Sequence, residues 1–253
     1  MKRATRHRAR SWARRLATLP AVLLLLGATG FVLREGLAEW HAIQANQRLS
    51  QWETGRPLAS MSAWEIEQGI RRAIALSPAN GDHRESLGTL FFARAIQEGR
   101  PPSEMMQDLD TAVTHYREAT QRTTVSGYAW GNLMIAKHYA GQIDPEFYTA
   151  LRNAVRFAPL EAPVQLMVLG AVLPRWDQLN GEARSLAADT VHRGWADHGR
   201  LIVAQAREMP NRQLWCGSVW LPAEDEQRAA MRRLCEAVAA PVSPLGPGGR
   251  PAP

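Results

Sequence analysis

The residues best suited to chemistry are Asp108 and Asp110, in the string Asp108-Leu109-Asp110. Such a pair holds a divalent metal and a nucleotide-sugar phosphate when a strand and loop converge both carboxylates on one ion. Here the string lies inside a helical pattern, with no such strand and loop beside it. The histidines give no metal set, because His192 and His198 are six residues apart, on nearly opposite helical faces, and no HExxH frames them. His83 and His138 stand singly. Ser218 in "CGSVW" lacks the G-x-S-x-G frame of a nucleophile elbow. The sequence therefore predicts no catalytic residue, metal site or cofactor. The enzymatic alternative is an exported glycan-processing activity using Asp108 and Asp110.

The two cysteines, Cys216 and Cys235, are nineteen residues apart, which matches no zinc spacing. They read as a structural disulfide, with two buried thiols as the alternative.

The elements that would position these residues are helices throughout. No stretch sustains the alternation of a strand, so the expected class is all-α. Ser62 with Glu65 forms a capping-box pattern opening a helix through about Leu76, and Pro78 and Asn80-Gly81 break it. "DHRESLGTLFFARAIQE" follows, ended by Gly99 and Pro101-Pro102. Ser103 is placed to cap a helix running to about Arg122, and "GYAWGNLMIAKHYAG" comes next. Asp144-Pro145 is an N-cap with proline at the first helical position, opening "EFYTALRNAVRF". Further helices are expected over 163–173, 182–197, 201–208 and 223–239. Cys216 falls in a tryptophan-bracketed loop, "LWCGSVW".

Charge locates the chain in the cell. Of 30 Lys and Arg residues, seven lie within the first fifteen positions, leaving 23 basic against 24 acidic groups in the remainder. The net charge of +6 is thus a terminal feature, and no nucleic-acid groove is expected in the body. Directly after the cluster, Leu16 to Leu33 is a run of eighteen residues without a charge. As a helix it covers about 27 Å, close to the hydrocarbon thickness of a bilayer. Lys and Arg on its N-terminal side stay cytoplasmic, which delivers the remainder to the far side, in a bacterium the periplasm. Ala28-Thr29-Gly30 also has the small residues of a signal-peptidase site, so a cleaved leader is the alternative to an anchor in the inner membrane. Trp12 and Trp40 flank the run as interface anchors do. The expected organisation is a basic cytoplasmic segment 1–15, a transmembrane helix 16–33, a helical body 34–240 and a Pro/Gly-rich tail 241–253 expected to be disordered.

Residues 127–160 resemble a tetratricopeptide unit, a pair of antiparallel helices in about 34 residues. Trp130 and Leu133 stand at W-x2-L spacing, Asp144-Pro145 opens the second helix, and Ala154 and Pro159 close it. Leu87, Gly88 and Phe91 repeat the L-G-x2-aromatic half, and Ala73 to Pro78 the closing half. Met134, Lys137 and Thr124 depart from the pattern, and the closing positions Pro78, Thr124 and Pro159 are 46 and then 35 residues apart. The alternative is an irregular helical bundle. The resemblance implies a groove lined by the first helix of each pair, which in this chain points to Asp82, Glu85, Tyr128, His138 and Tyr139. A protein partner in the inner membrane or periplasm would occupy it. The layout of basic terminus, membrane helix, helical body and late cysteine pair also resembles the VpsP-type proteins of bacterial exopolysaccharide biosynthesis. That resemblance implies an accessory role in building or exporting a surface polysaccharide.

Overall fold

In the computed structural model, the described backbone covers residues 2–53, 63–217, 221–222 and 224–241, with side chains described from Pro20 onward except at 52 and 53. The expected cap Ser62, the serine Ser218, the side chain of Trp12 and all of the tail beyond Pro241 lie outside it. Ten α-helices follow one another, with no strand among the described residues: α1 Lys2–Glu53, α2 Ala63–Leu76, α3 Gly81–Ala95, α4 Pro102–Arg122, α5 Gly127–Tyr139, α6 Pro145–Phe157, α7 Ala162–Val172, α8 Gly181–Glu208, α9 Arg212–Cys216 and α10 Asp225–Ala239. The chain is all-α. It divides into two compact units, Met1–Ser86 and Leu87–Pro253, so residues 34–86 group with the N-terminal helix.

In the first unit, α1 is one uninterrupted helix through Pro20. Pro20–Gln51 is long and apolar enough to cross a membrane, and Leu23 to Leu26 are all exposed. Beyond Leu33 the helix becomes two-faced. Ala38, Ala42, Ala45 and Leu49 are buried at helical spacing, as are Ile66, Ile70 and Ala73 of α2, which packs against α1. The small alanines let the two helices approach closely. An ion pair between Arg48 and Glu65, at 2.9 Å, and a hydrogen bond from Asn80 Nδ2 to Glu39 Oε1, at 3.1 Å, hold the two ends of this packing.

In the second unit α4 packs on α5, α5 on α6, and α7 and α10 on α8, while α5 also meets α7 and α6 meets α7 and α8. Gly88 of α3 sits over the ring of Tyr116 in α4, where an added Cβ would lie 2.7 Å from Cδ1. Gly127 likewise leaves no room for a Cβ beside Ala158. Asp144 caps α6 as its sequence predicts, its carboxylate accepting from the Phe147 N–H at 3.0 Å, with Pro145 in the first turn.

Three local expectations differ. Pro101, not Ser103, occupies the N-cap of α4, since Pro102 already supplies the fixed φ of the first helical residue. The helices expected over 182–197 and 201–208 are one helix, α8. A mid-helix glycine such as Gly199 costs only about 1 kcal/mol, which burial of Ile202 and Ala206 on the far side outweighs. Cys216 ends the short helix α9 instead of lying in a loop, and the adjoining Trp215 is fully buried.

Candidate functional site

A cluster of charge in the second unit joins α4, α5 and α6. Lys137 is buried in α5, on the side facing the α5–α6 turn, and its ammonium donates to Asp144 at 2.9 Å, Glu146 at 2.8 Å and Gln142 at 3.2 Å. Glu146 also takes a two-pronged hydrogen bond from the Arg117 guanidinium of α4, at 2.6 and 2.8 Å. A buried ammonium is tolerable only with such partners. The Arg117 hydrogen bond, against the opposing effect of burial and with help from Lys137, pulls the Glu146 carboxyl down to about 2. Asp144 is also lowered: burial pushes it up, but Lys137 and the Phe147 N–H outweigh that. Gln142 passes the network outward, donating to Asp110 at 2.9 Å. These groups are saturated by one another, so the cluster clamps three helices and offers no free base or nucleophile.

The outward face of α5 carries Tyr128 and Tyr139, eleven residues and so about three helical turns apart, both exposed. Tyr128 hydrogen-bonds Glu161 at 3.3 Å, and Tyr139 stands edge-on to Phe92 at 5.3 Å. His138 is half-buried, its ring edge-on to that of Tyr139 at 5.4 Å. Its Nδ1 accepts from Arg175 Nε at 3.2 Å, its own carbonyl accepts from the same guanidinium at 3.1 Å, and Ala171 supplies a backbone hydrogen bond. Burial first, and then the Arg175 charge, push the imidazole down to about 4, so it is neutral near pH 7. With these partners His138 fixes the end of α5 against Arg175.

Asp108 and Asp110 go separate ways. Asp108 is buried and bound by Arg100 at 2.8 Å and Arg94 at 3.3 Å, whereas Asp110 is exposed on the other side of its turn, beside Gln142. They do not meet on one ion. Among the described residues no group of three or more His, Cys, Asp and Glu could hold a metal. His192 is exposed, His198 pairs with Gln165 at 3.0 Å, and His83 is buried 3.8 Å from Glu39. Asp82 and Glu85 belong to the first turns of α3 in the first unit, where the Asp82 N–H is capped by Asn80. Tyr128, His138 and Tyr139 belong to the second unit.

Cys216 and Cys235 form a disulfide, with Cα atoms 5.7 Å apart, joining α9 to α10. Lys137 and Arg175 are the site residues that sequence reasoning passed over. Lys137 stands out in the sequence only as a charge in the otherwise apolar run "NLMIAKHYA", with Asp144 and Glu146 downstream as its signal. No family model matches this chain, and neither a curated protein nor a solved structure matches it.

Proposed function

We propose that this protein is a single-pass scaffold of the bacterial inner membrane, with its helical body in the periplasm and the outer face of α5 as its partner-binding surface. The observation that carries this reading is α1 itself: a basic end, a span in which Leu23 to Leu26 are all exposed, and a continuation that packs on α2. The disulfide supports an oxidising compartment for that body. The close pairs Gly88–Tyr116 and Gly127–Ala158, with α5 bridging α6 and α7, support a TPR-like array. In such an array Tyr128 and Tyr139 provide rigid aromatic contact area at low entropic cost, suited to a peptide segment or an assembly subunit. The layout supports an accessory role in envelope or exopolysaccharide assembly. A glycan-processing activity would need Asp108 and Asp110 on one ligand, and their partners draw them apart.

A reporter that is active only in the periplasm, fused after residue 240, should be active. Inactivity there, with activity of a cytoplasmic reporter at the same point, overturns the reading.

A further inference from the structure

Three contacts hold α2 against α1 in one antiparallel register. Arg48 meets Glu65 at 2.9 Å, Gly69 lies so close to Ala45 that an added Cβ would be 3.3 Å from the alanine's own, and Ser77 hydrogen-bonds Glu35. Each step toward the C-terminus of α2 is therefore a step back along α1 toward the span. Ser77 comes level with Glu35, two residues and so about 3 Å past the charge-free run that ends at Leu33. Asn80 reaches Glu39, about 9 Å past it. The α2–α3 turn thus returns to the edge of the span.

The bilayer extends to the same level. The α1 backbone is helical throughout Trp12 to Trp40, which places those two positions about 42 Å apart, the thickness of the hydrocarbon and both headgroup layers together. With the tryptophans at the two faces, about 5 to 8 Å is left for each headgroup layer, which takes in α1 from about Glu35 to Trp40. That is the depth at which the turn is held.

The residues suit the place. From Ala73 to Gly81 the chain carries no charged side chain, and Pro78 and Ala79 at the tip of the turn are exposed. The α1 acids at this depth are both engaged, Glu35 by Ser77 and Arg34 and Glu39 by Asn80. Arg72, the last cation of α2, lines a groove with His41, the residue after Trp40. It is exposed and takes part in no ion pair or hydrogen bond among the described residues, whereas its neighbour Arg71 is held by Glu67 at 2.8 Å. An arginine at that level can lay its stem along the layer and put its guanidinium on a lipid phosphate.

We infer that the α2–α3 turn, Ser77 to Gly81, is a second membrane contact, seated in the headgroup layer beside the C-terminal end of the span, with Arg72 on the phosphates of anionic lipid. The inference rests on the membrane reading of α1 above. A hairpin anchored by its span and braced by its turn stands at a fixed height on the bilayer.

The test places an environment-sensitive dye on Ala79→Cys in the full chain, whose own Cys216 and Cys235 are already bonded to each other, in nanodiscs of phosphatidylethanolamine and phosphatidylglycerol. Trp64→Cys, at a position 67% exposed at the far end of α2, is the comparison. A nitroxide on the lipid headgroup should quench the dye at residue 79 several-fold more than at residue 64, and aqueous iodide should show the reverse order. Arg72→Glu should reduce the lipid quenching at residue 79, and unchanged quenching strikes Arg72 from the contact. Iodide reaching residue 79 as readily as residue 64, with no lipid quenching at either, overturns the inference. A dye on Leu26→Cys, read with a nitroxide on the lipid tail, separates the two readings. Quenching at residue 26 without lipid quenching at residue 79 ends the turn contact alone, and quenching at neither ends both.

Discussion

The charge-free span of α1 and the whole of α7 are both apolar on nearly every side, and they meet opposite surroundings. In α1 the leucines from Leu23 to Leu26 are exposed, whereas in α7 Val164, Val168, Leu169, Ala171 and Val172 are buried by α5, α6 and α8. α7 has 11 residues and reaches only about 16 Å, too short to cross a bilayer. Residue composition alone does not separate a membrane helix from a core helix; length and the supply of neighbouring helices do. Over Leu23 to Leu26 no described part of the chain buries α1.

Truncation should break the symmetry between them most sharply. Leu169→Ala removes packed side chain from a site with no exposure and should cost about 2 to 5 kcal/mol in urea unfolding of the detergent-solubilised protein. Leu24→Ala, at a position 75% exposed, should leave the same unfolding midpoint in place. Equal losses at both positions would show that α1 is packed within the body after all.

The end of the second unit offers the next largest effect. α10 packs on α8 and contacts α9, where the disulfide spans 19 residues of sequence. Opening that loop should lower stability by about 3 kcal/mol. Replacing both cysteines with serine and following thermal unfolding measures it. An unchanged midpoint would mean that packing on α8 alone holds α10 in place.

Acid should loosen the covering of α7 while leaving α1 helical, and this is the smallest of the three effects. Glu146 sits at about 2, below its ordinary 4.5, so its stabilisation is complete above pH 4.5 and is lost as pH falls toward 2. His138, neutral and held at about 4 against an ordinary 6.5, acts in the same direction over the window above. From pH 6.5 down to 4 the unfolded chain gains the proton more readily, which destabilises the fold. His138→Gln should flatten the limb between pH 6.5 and 4 in a stability profile, and Glu146→Gln the limb below 4.5. Profiles parallel to the parent's would remove these two groups as the cause.

Much of this was legible in the sequence wherever the determinant is local. Asp144-Pro145 fixes the start of α6 through atoms within three residues, and the charge-free run in α1 declares itself by length. Two cysteines permit one intramolecular pairing. The long-range features were not legible. Lys137 is buried because Glu146 and Asp144 fold back over it and Arg117 arrives from α4, a meeting no spacing rule encodes. Asp108 turns inward because Arg94 and Arg100 await it, so the Asp-x-Asp string looked like a pair until those partners were placed. Gly199 reads as a break but is carried by the burial of residues on either side of it in α8. Tyr128 and Tyr139 are visible as residue types, and that both end up exposed on α5 is set by the packing of its other faces.

Because α1 is one helix from Lys2 to Glu53, its length and its angular phase cannot change independently. Each residue inserted between Leu33 and Ala38 would swing everything after it by about 100° and lift it by about 1.5 Å, turning Ala38, Ala42, Ala45 and Leu49 away from the direction set by the span. A seven-residue insertion restores the phase almost completely, at the price of standing α2 about 10 Å farther from the bilayer. Evolutionary drift in chain length is therefore quantised in α1.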